Sequence, residues 1–386
     1  MYNRIIETSL KKSFFKGKIL IIVGARQTGK TTLAKKIIEK FPAEEIRSFN
    51  GDNPDDRELL NDRSFEFLDN IIGDAKIIFI DEGQKIGTIG QTLKLMVDEY
   101  KDKKQIIVTG SSSFNLLDRT EEPLTGRKRV FYLFPLSLEE IYPEKNMLEI
   151  IKKLPQYLVF GSYPEVAGEK TFDEKRKALS EITSSYLYRD VLEFQGIKKS
   201  DTLSKLLKAL ALQIGSEVSY TELADVSGLN KKTVENYIDI LEKNNIVFRL
   251  SPYATNKRKM ISKLRKVYFY DIGIRNALIG NFNFPDERND IGALWENFIL
   301  VERLKFQSYH GISVNNYFWR TYDGAEIDLV EEREGKLFGY EFKWNDRKRK
   351  REPSILWRKY PNSVYEIIDP KKMPGFIWLG QIKNGT

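Results

Sequence analysis

The 386-residue sequence predicts an α/β fold, with a parallel sheet in its N-terminal part and smaller units behind it. Three observations carry this. The runs Ile19–Val23, Ile77–Ile80 and Ile106–Val108 are short, unbroken and rich in β-branched residues, which suits strands buried on both faces. The first run is followed by a loop with two glycines and then by Thr32-Leu33-Ala34-Lys35-Lys36-Ile37-Ile38, whose apolar spacing is helical. The length leaves room for two or three hydrophobic cores.

Composition removes several kinds of chemistry. The sequence has no cysteine, so disulfides, thiolate zinc sites and cysteine nucleophiles are all excluded. One histidine, His310, reads as a loop residue and leaves no histidine-based metal site or triad. The balance of 63 basic against 55 acidic residues is +8, a tilt that marks a nucleic-acid partner only where it clusters. The N-terminal MYNRIIETSLKK lacks the apolar core of a signal peptide, and no run approaches a membrane span. A cytoplasmic protein with no membrane partner is the expectation.

The loop Gly24-Ala25-Arg26-Gln27-Thr28-Gly29-Lys30-Thr31 fits G-x-x-x-x-G-K-[ST], the phosphate-binding loop. Gly24 and Gly29 permit backbone angles that a side chain would forbid, so that N–H groups along the loop can face phosphate oxygens. The helix continuing through Thr32 adds the partial positive charge of its N-terminus. Lys30 would reach the β- and γ-phosphates of ATP, and the Thr31 hydroxyl would ligate Mg²⁺. A plain glycine turn between strand and helix is the alternative.

A short helix over Arg4 to Phe14 and a strand near Glu45–Phe49 flank this loop. The run ending in Asp81-Glu82 is an apolar strand with an acidic pair at its carboxyl end. Asp81 would hold Mg²⁺ through water or Thr31, and Glu82 would orient and deprotonate the attacking water. Gln105–Thr109 leads into Gly110-Ser111-Ser112-Ser113. Ser111 is the candidate to sense the γ-phosphate, with Thr109 and Ser112 competing and a helix cap as the alternative. Arg127 is a candidate arginine finger acting on a neighbouring subunit's nucleotide, which needs a homo-oligomer through this core. A solvated surface arginine is the other reading.

From Leu154 to about Gln195 the pattern is helical, a small lid that contains Arg189-Asp190. Leu203, Leu206, Leu207, Leu210 and Leu212 suit one face of a further helix. A short helix from Tyr220, a turn at Ser227-Gly228-Leu229 and a longer helix from Asn230 to Lys243 have the helix-turn-helix order. Ile246–Leu250 and Lys266–Tyr270 read as the strands of a wing. Lys231, Lys232 and Asn236 on the second helix, with Lys257, Arg258, Lys259, Lys263 and Arg265 in the wing, are candidate contacts to nucleic acid, DNA first. Such modules also serve as pure protein contacts.

The last part opens with a helix in ALWENFILVERLKF, read as amphipathic, which bears Glu296. A strand at Tyr317–Arg320 precedes two more, Ala325–Val330 and Lys336–Lys343, around a hairpin turn at Glu334-Gly335. A two-residue turn sets Asp328 opposite Glu341 and Glu326 opposite Lys343. Period two then places these four on one face and Ile327, Leu329, Tyr340 and Phe342 on the other. Asp328 and Glu341 would hold Mg²⁺, with Lys343 positioning or activating water, as phosphodiester cleavage requires. A solvated strand face is the alternative. Arg347-Lys348-Arg349-Lys350-Arg351 and Trp357-Arg358-Lys359-Tyr360 add a basic cluster that reads as a backbone contact or a solvated helix end.

GARQTGKTTL, IIFIDEGQ, VTGSSS, LTGR, LFPLSLEE, YLVFGSYPEV, YLYRDV, LWENFIL and EIDLV…YEFK occur in an order that resembles prokaryotic AAA-type ATPases. These fuse a P-loop core, a winged helix and a C-terminal PD-(D/E)xK nuclease-like domain. The resemblance spans nearly the whole chain and implies an ASCE-type core related to STAND-like ATPases. Asp328 departs from it in lacking the preceding proline. The implied domains are 1–145, a P-loop NTPase core with a parallel sheet; 146–200, a helical lid; 201–275, a winged helix; and 276–386, an α/β restriction-endonuclease-like domain. The implied activity is Mg²⁺-dependent ATP hydrolysis controlling a nucleic-acid-binding or DNA-cleaving half through Glu296, Asp328, Glu341 and Lys343. The competing classes are an ATP-dependent scaffold that binds protein partners and cuts nothing, and a winged-helix DNA-binding regulator.

Overall fold

The structure, a computed structural model, describes residues 2–111, 124–144, 146–187, 200–254, 265–321, 324–345, 357, 360 and 363–378. The chain divides into two compact units, Met1–Pro135 with Lys243–Asn245, and Leu136–Glu242 with Ile246–Thr386. Among the described residues no helix is long and apolar enough to cross a membrane.

The first unit is a parallel sheet of β1 (Ile19–Val23), β2 (Ile46–Asn50), β3 (Ile77–Asp81), β4 (Gln105–Gly110) and β5 (Lys128–Tyr132), in the order β2-β3-β4-β1-β5. The three inner strands β1, β3 and β4 are the unbroken apolar runs, and only Asp81 at the end of β3 escapes full burial. Their isoleucines and valines meet Leu93, Met96 and Val97 of the helix Ile89–Tyr100 in one core. Each such side chain contributes about 1.5–3 kcal/mol by leaving water. The edge strands IRSFN and KRVFY carry more polar residues because one flank has no partner. Since all five strands run the same way, the carboxyl ends of β1, β3 and β4 gather at one rim. Ligands bind at that rim in open parallel sheets.

The second unit contains β6 (Glu217–Val218), β7 (Val247–Pro252), β8 (Arg265–Phe269), β9 (Asn315–Arg320), β10 (Glu326–Arg333), β11 (Lys336–Phe342) and β12 (Val364–Ile368). They form one sheet in the order β12-β11-β10-β9-β7-β8-β6. The β7–β8 hairpin is continuous with the C-terminal strands because Ser251 and Pro252 pair in parallel with Tyr317 and Phe318. Ahead of it lie the helices Met147–Phe160, Phe172–Glu181 and Ser200–Leu212. The pair Tyr220–Ser227 and Lys231–Lys243 follows, with Gly228 ending the first of the two at φ +71°.

Two expectations need correction. Glu334 and Gly335 have φ of +50° and +72°, as a two-residue hairpin turn requires, and Leu329 pairs with Tyr340 in the expected register. Ile327, however, does not share a face with Leu329, Tyr340 and Phe342. It packs with Trp319, Val330, Leu337 and Trp357, and lies beside Gly339 on the opposite side from Tyr340. The cause is a shift in the β9–β10 register between Ile327 and Val330, a bulge that breaks the alternation at Asp328. The helix Ile291–Tyr309 is also not amphipathic. It is buried on most sides, and its polar residues Asn297, Glu302, Arg303, Lys305 and Gln307 are each hydrogen-bonded inside the unit.

Candidate functional site

At the rim of the first sheet the chain leaves β1 through Gly24, where a Cβ would lie 2.1 Å from the Leu133 carbonyl oxygen. The neighbouring β5 segment crosses that close because Leu133 N–H donates to the Val23 carbonyl at 2.8 Å. Gly29 has φ +92° and starts the helix Lys30–Ile38 with no side-chain cap. Its first-turn N–H groups are therefore available to an anion. Thr28 is fully buried and its Oγ1 donates to the Ala25 carbonyl at 2.8 Å; the Lys30 ammonium donates to the same carbonyl at 2.9 Å. Gln27 is left-handed at φ +60°, and its Oε1 is buried with no hydrogen-bond partner among the described residues. Arg26 is half-buried and Thr32 is exposed.

The acidic pair is held directly opposite. Thr31 Oγ1 lies 2.9 and 3.0 Å from the two Asp81 carboxylate oxygens, and Thr109 Oγ1 donates to the same carboxylate. Thr109 also accepts from the Glu82 N–H at 3.3 Å. Ser111 Oγ donates to Glu82 Oε2 at 3.1 Å, and the Gln84 amide donates to both Glu82 and Ser111. Thr109 and Ser111 thus divide the acidic pair between them, Thr109 on Asp81 and Ser111 on Glu82. A hydroxyl and a carboxylate in contact are hard oxygen donors, the chemistry that suits Mg²⁺.

Arg127 lies elsewhere. Its carbonyl accepts from Ile19 N–H at the start of β1, so the five-residue strand separates it from the loop, roughly 15 Å of extended chain. Its guanidinium pairs with Asp98 at 2.5 Å. Ser112, Ser113, Arg189, Asp190, Lys257, Arg258, Lys259, Lys263, Arg347–Arg351, Arg358 and Lys359 fall outside the described residues. Lys231, Lys232 and Asn236 are exposed at the start of their helix.

In the second unit the carboxylates gather around a lysine. Lys266 on β8 is almost fully buried and pairs with Glu296 at 3.1 Å and with Glu326. The Tyr268 hydroxyl donates to Glu296 at 2.6 Å. Asp328 accepts the Phe342 N–H at 2.8 Å, and burial together with Glu296 pushes its pKa up to about 8. Glu341 is bound by Lys343 at 2.7 Å and by the Tyr365 hydroxyl. The expected Asp328–Glu341 pair is held by protein groups, Asp328 by the Phe342 N–H and Glu341 by Lys343 and the Tyr365 hydroxyl. Glu341 turns to Lys343 and to β12, and two ammonium groups, the buried Lys266 and the half-exposed Lys343, act on Asp328 and Glu296. Among the described residues no three carboxylate or histidine side chains form a metal cage.

Comparison with known proteins agrees with the first sheet. Residues 16–142 match the family model described as AAA domain. The N-terminal unit thus has the motifs, the sheet and the family signature of a P-loop ATPase. Residues 151–284 and 291–371 match two models described as domains of unknown function, DUF8612 and DUF4143. An uncharacterized protein of Mycobacterium tuberculosis is 26% identical over 336 residues, covering 86% of this chain and 72% of that protein. One from Methanocaldococcus jannaschii is 24% identical over 371 residues, covering 90% and 80%. Among solved structures, a signal-transduction ATPase with numerous domains and a tetratricopeptide repeat sensor, from Pyrococcus horikoshii, aligns with TM-score 0.30 and 16% identity. That alignment covers 81% of this chain and spans about half, 48%, of the other.

Several contacts escaped sequence reasoning. Arg4 is buried and donates to the Thr28 carbonyl of the loop at 2.9 Å and to the Phe134 carbonyl at 2.5 Å, with no motif to announce it. Lys266 and Tyr268 did leave a signal: two residues apart on a strand, they must share a face.

Proposed function

We propose that the N-terminal unit hydrolyses ATP with Mg²⁺. The observation that carries this is the Thr31 hydroxyl resting on the Asp81 carboxylate while Glu82 is fixed beside it by Ser111 and Gln84. Lys30 and the N–H groups of Gly24–Thr32 would hold the phosphates, and Thr31 and Asp81 would hold the metal. When bound, Mg²⁺ neutralises charge on the β- and γ-phosphates. Glu82 takes a proton from water as its oxygen bonds to the γ-phosphorus, and the bond to the bridging oxygen of ADP breaks. Purified chain is expected to release phosphate from ATP only with Mg²⁺ or Mn²⁺, and Lys30→Ala is expected to abolish both turnover and nucleotide binding. Turnover unaffected by Lys30→Ala would reject the assignment.

For the second unit one observation favours a module that grips and does not cut. Lys266 is already paired with both Glu296 and Glu326. A catalytic Mg²⁺ on Asp328 and Glu341 would have to displace Lys343 and the Tyr365 hydroxyl from Glu341 beside that buried ammonium. Exposed Lys231 and Lys232 support contact with a DNA backbone under nucleotide control. No DNA degradation is expected with Mg²⁺ or Mn²⁺. Binding to duplex DNA is expected to weaken with salt and, in Lys231→Ala/Lys232→Ala, to lose up to two units of salt slope. Metal-dependent cleavage that disappears in Asp328→Ala would overturn the first half, and a slope unchanged by the double variant the second.

A further inference from the structure

The second unit contains a cavity of about 330 Å³, at the lower end of the range for small-molecule sites, lined by Arg303, Arg333, Tyr340, Glu366, Lys371 and Lys372 among others. It lies between the end of β10, strands β11 and β12, and the short helix Met373–Ile377, and its lining shares no residue with the Lys266 cluster.

The cations and carboxylates of its walls do not match. Arg303 grips Glu331 with two hydrogen bonds, Nε to Oε1 at 2.6 Å and Nη2 to Oε2 at 3.0 Å, and gives Nη1 to the Phe376 carbonyl. Glu331 also accepts from Gln307 at 2.7 Å. Its hydrogen-bonding capacity is thus largely committed. Arg333, nine-tenths buried, receives what is left: its Nε stands 3.3 Å from Glu331 Oε2 without hydrogen-bond alignment and has no hydrogen-bond partner among the described residues. Its remaining support is neutral, the Tyr340 hydroxyl at 3.2 Å and the Phe338 ring 3.9 Å below the guanidinium. At the mouth, Lys372 pairs with Glu366 at 3.4 Å, while the Asp369 carboxylate is occupied by the backbone N–H groups of Lys371 and Lys372. Four cationic side chains therefore stand against three carboxylates, of which Asp369 is turned to backbone N–H groups, and Arg333 shares Glu331 with Arg303 without a hydrogen bond to it.

A buried charge is costly unless an opposite charge and hydrogen bonds compensate it. An arginine fork beside an exposed lysine suits the tetrahedral dianion of a phosphate group better than a lone carboxylate, because both can donate to different oxygens of the one group. We infer that this cavity binds a small phosphorylated molecule, with Arg333 and Lys371 on the phosphate and the Tyr340 and Phe376 rings against its carbon skeleton. The site is independent of the phosphate-binding loop of the first unit.

The test uses the full chain carrying Lys30→Ala, so that the nucleotide loop does not contribute. Inorganic phosphate, glucose 6-phosphate and citrate are titrated calorimetrically at constant ionic strength. Saturable binding of glucose 6-phosphate is expected, weakened at least tenfold by Lys371→Glu, an exposed position that leaves folding intact, and by Arg333→Met. Phosphate alone is expected to bind more weakly at the same site. Three results would overturn the assignment: no saturable binding by folded protein, binding indifferent to Lys371→Glu, or citrate binding more tightly than either phosphate compound.

Discussion

Replacing Glu82 by glutamine is expected to lower ATP turnover by about 10²–10⁴-fold while leaving ATP affinity close to that of the parent. The expectation rests on how tightly the carboxylate is placed. Glu82 sits in the left-handed region at φ +50°, a conformation that costs a non-glycine residue on the order of 1–3 kcal/mol and persists only where the surroundings impose it. The surroundings here are specific. Gly51 donates its N–H to the Asp81 carbonyl at 2.8 Å, and a Cβ on Gly51 would come within 2.3 Å of the Glu82 carbonyl oxygen. Ser111 and Gln84 then fix the carboxylate end. Glutamine keeps the length and can still accept from Ser111, but its amide cannot take a proton at neutral pH. Binding should survive because Lys30, the loop N–H groups and Thr31 are untouched. Single-turnover hydrolysis alongside equilibrium nucleotide binding separates the two effects. A variant that turns over at the parent rate would remove Glu82 from the mechanism.

What could be read from the chain followed the reach of each interaction. The inner strands β1, β3 and β4 were legible because burial on both faces leaves an unbroken apolar run, and the loop between Gly24 and Thr31 because phosphate binding constrains neighbouring residues. The β10–β11 turn was legible for the same reason: Glu334-Gly335 encodes its own backbone angles. Features set by distant partners were not. The contact of Arg4 with Thr28 joins positions 24 residues apart, and that with Phe134 joins positions 130 apart. The bulge at Asp328 arises from pairing with β9 and leaves no local mark in EIDLV. The polar residues of the helix Ile291–Tyr309 looked solvent-facing because a pattern counts polarity, whereas Arg303 and Lys305 are buried by partners on other elements.

The carboxylate cluster is where that limit matters most, and Lys266→Met is the substitution that exposes it. Three acidic groups, Glu296, Glu326 and Asp328, act on one buried ammonium, whose own pKa is held above the usual lysine range by them despite burial. Methionine fills a similar volume but removes the charge. Glu296 and Asp328 then keep only the Lys343 ammonium near them, and breaking a buried pair from one side costs up to about 3–5 kcal/mol. All five tryptophans lie in the second unit, so urea unfolding followed by tryptophan fluorescence reports this loss without contribution from the nucleotide domain. The deficit should depend on pH in a definite direction. Asp328 titrates near about 8 in the folded chain, against roughly 3.9 for an unfolded aspartate. The folded state therefore holds its proton more tightly, and the resulting stabilisation is complete below the unfolded value and lost as pH rises through about 8. Lys266 lowers the Asp328 pKa, so removing it extends protonation to higher pH and leaves the unpaired cluster most costly in alkali. The deficit of Lys266→Met relative to the parent should consequently widen as pH rises from 7 to 9, where the parent has finished losing the Asp328 proton and the variant has not. Added Mg²⁺ distinguishes the two readings of the cluster: restored stability at pH 9 would mean that these oxygens can accept a metal once the lysine is gone, and no restoration would mean that they are arranged for an ammonium alone.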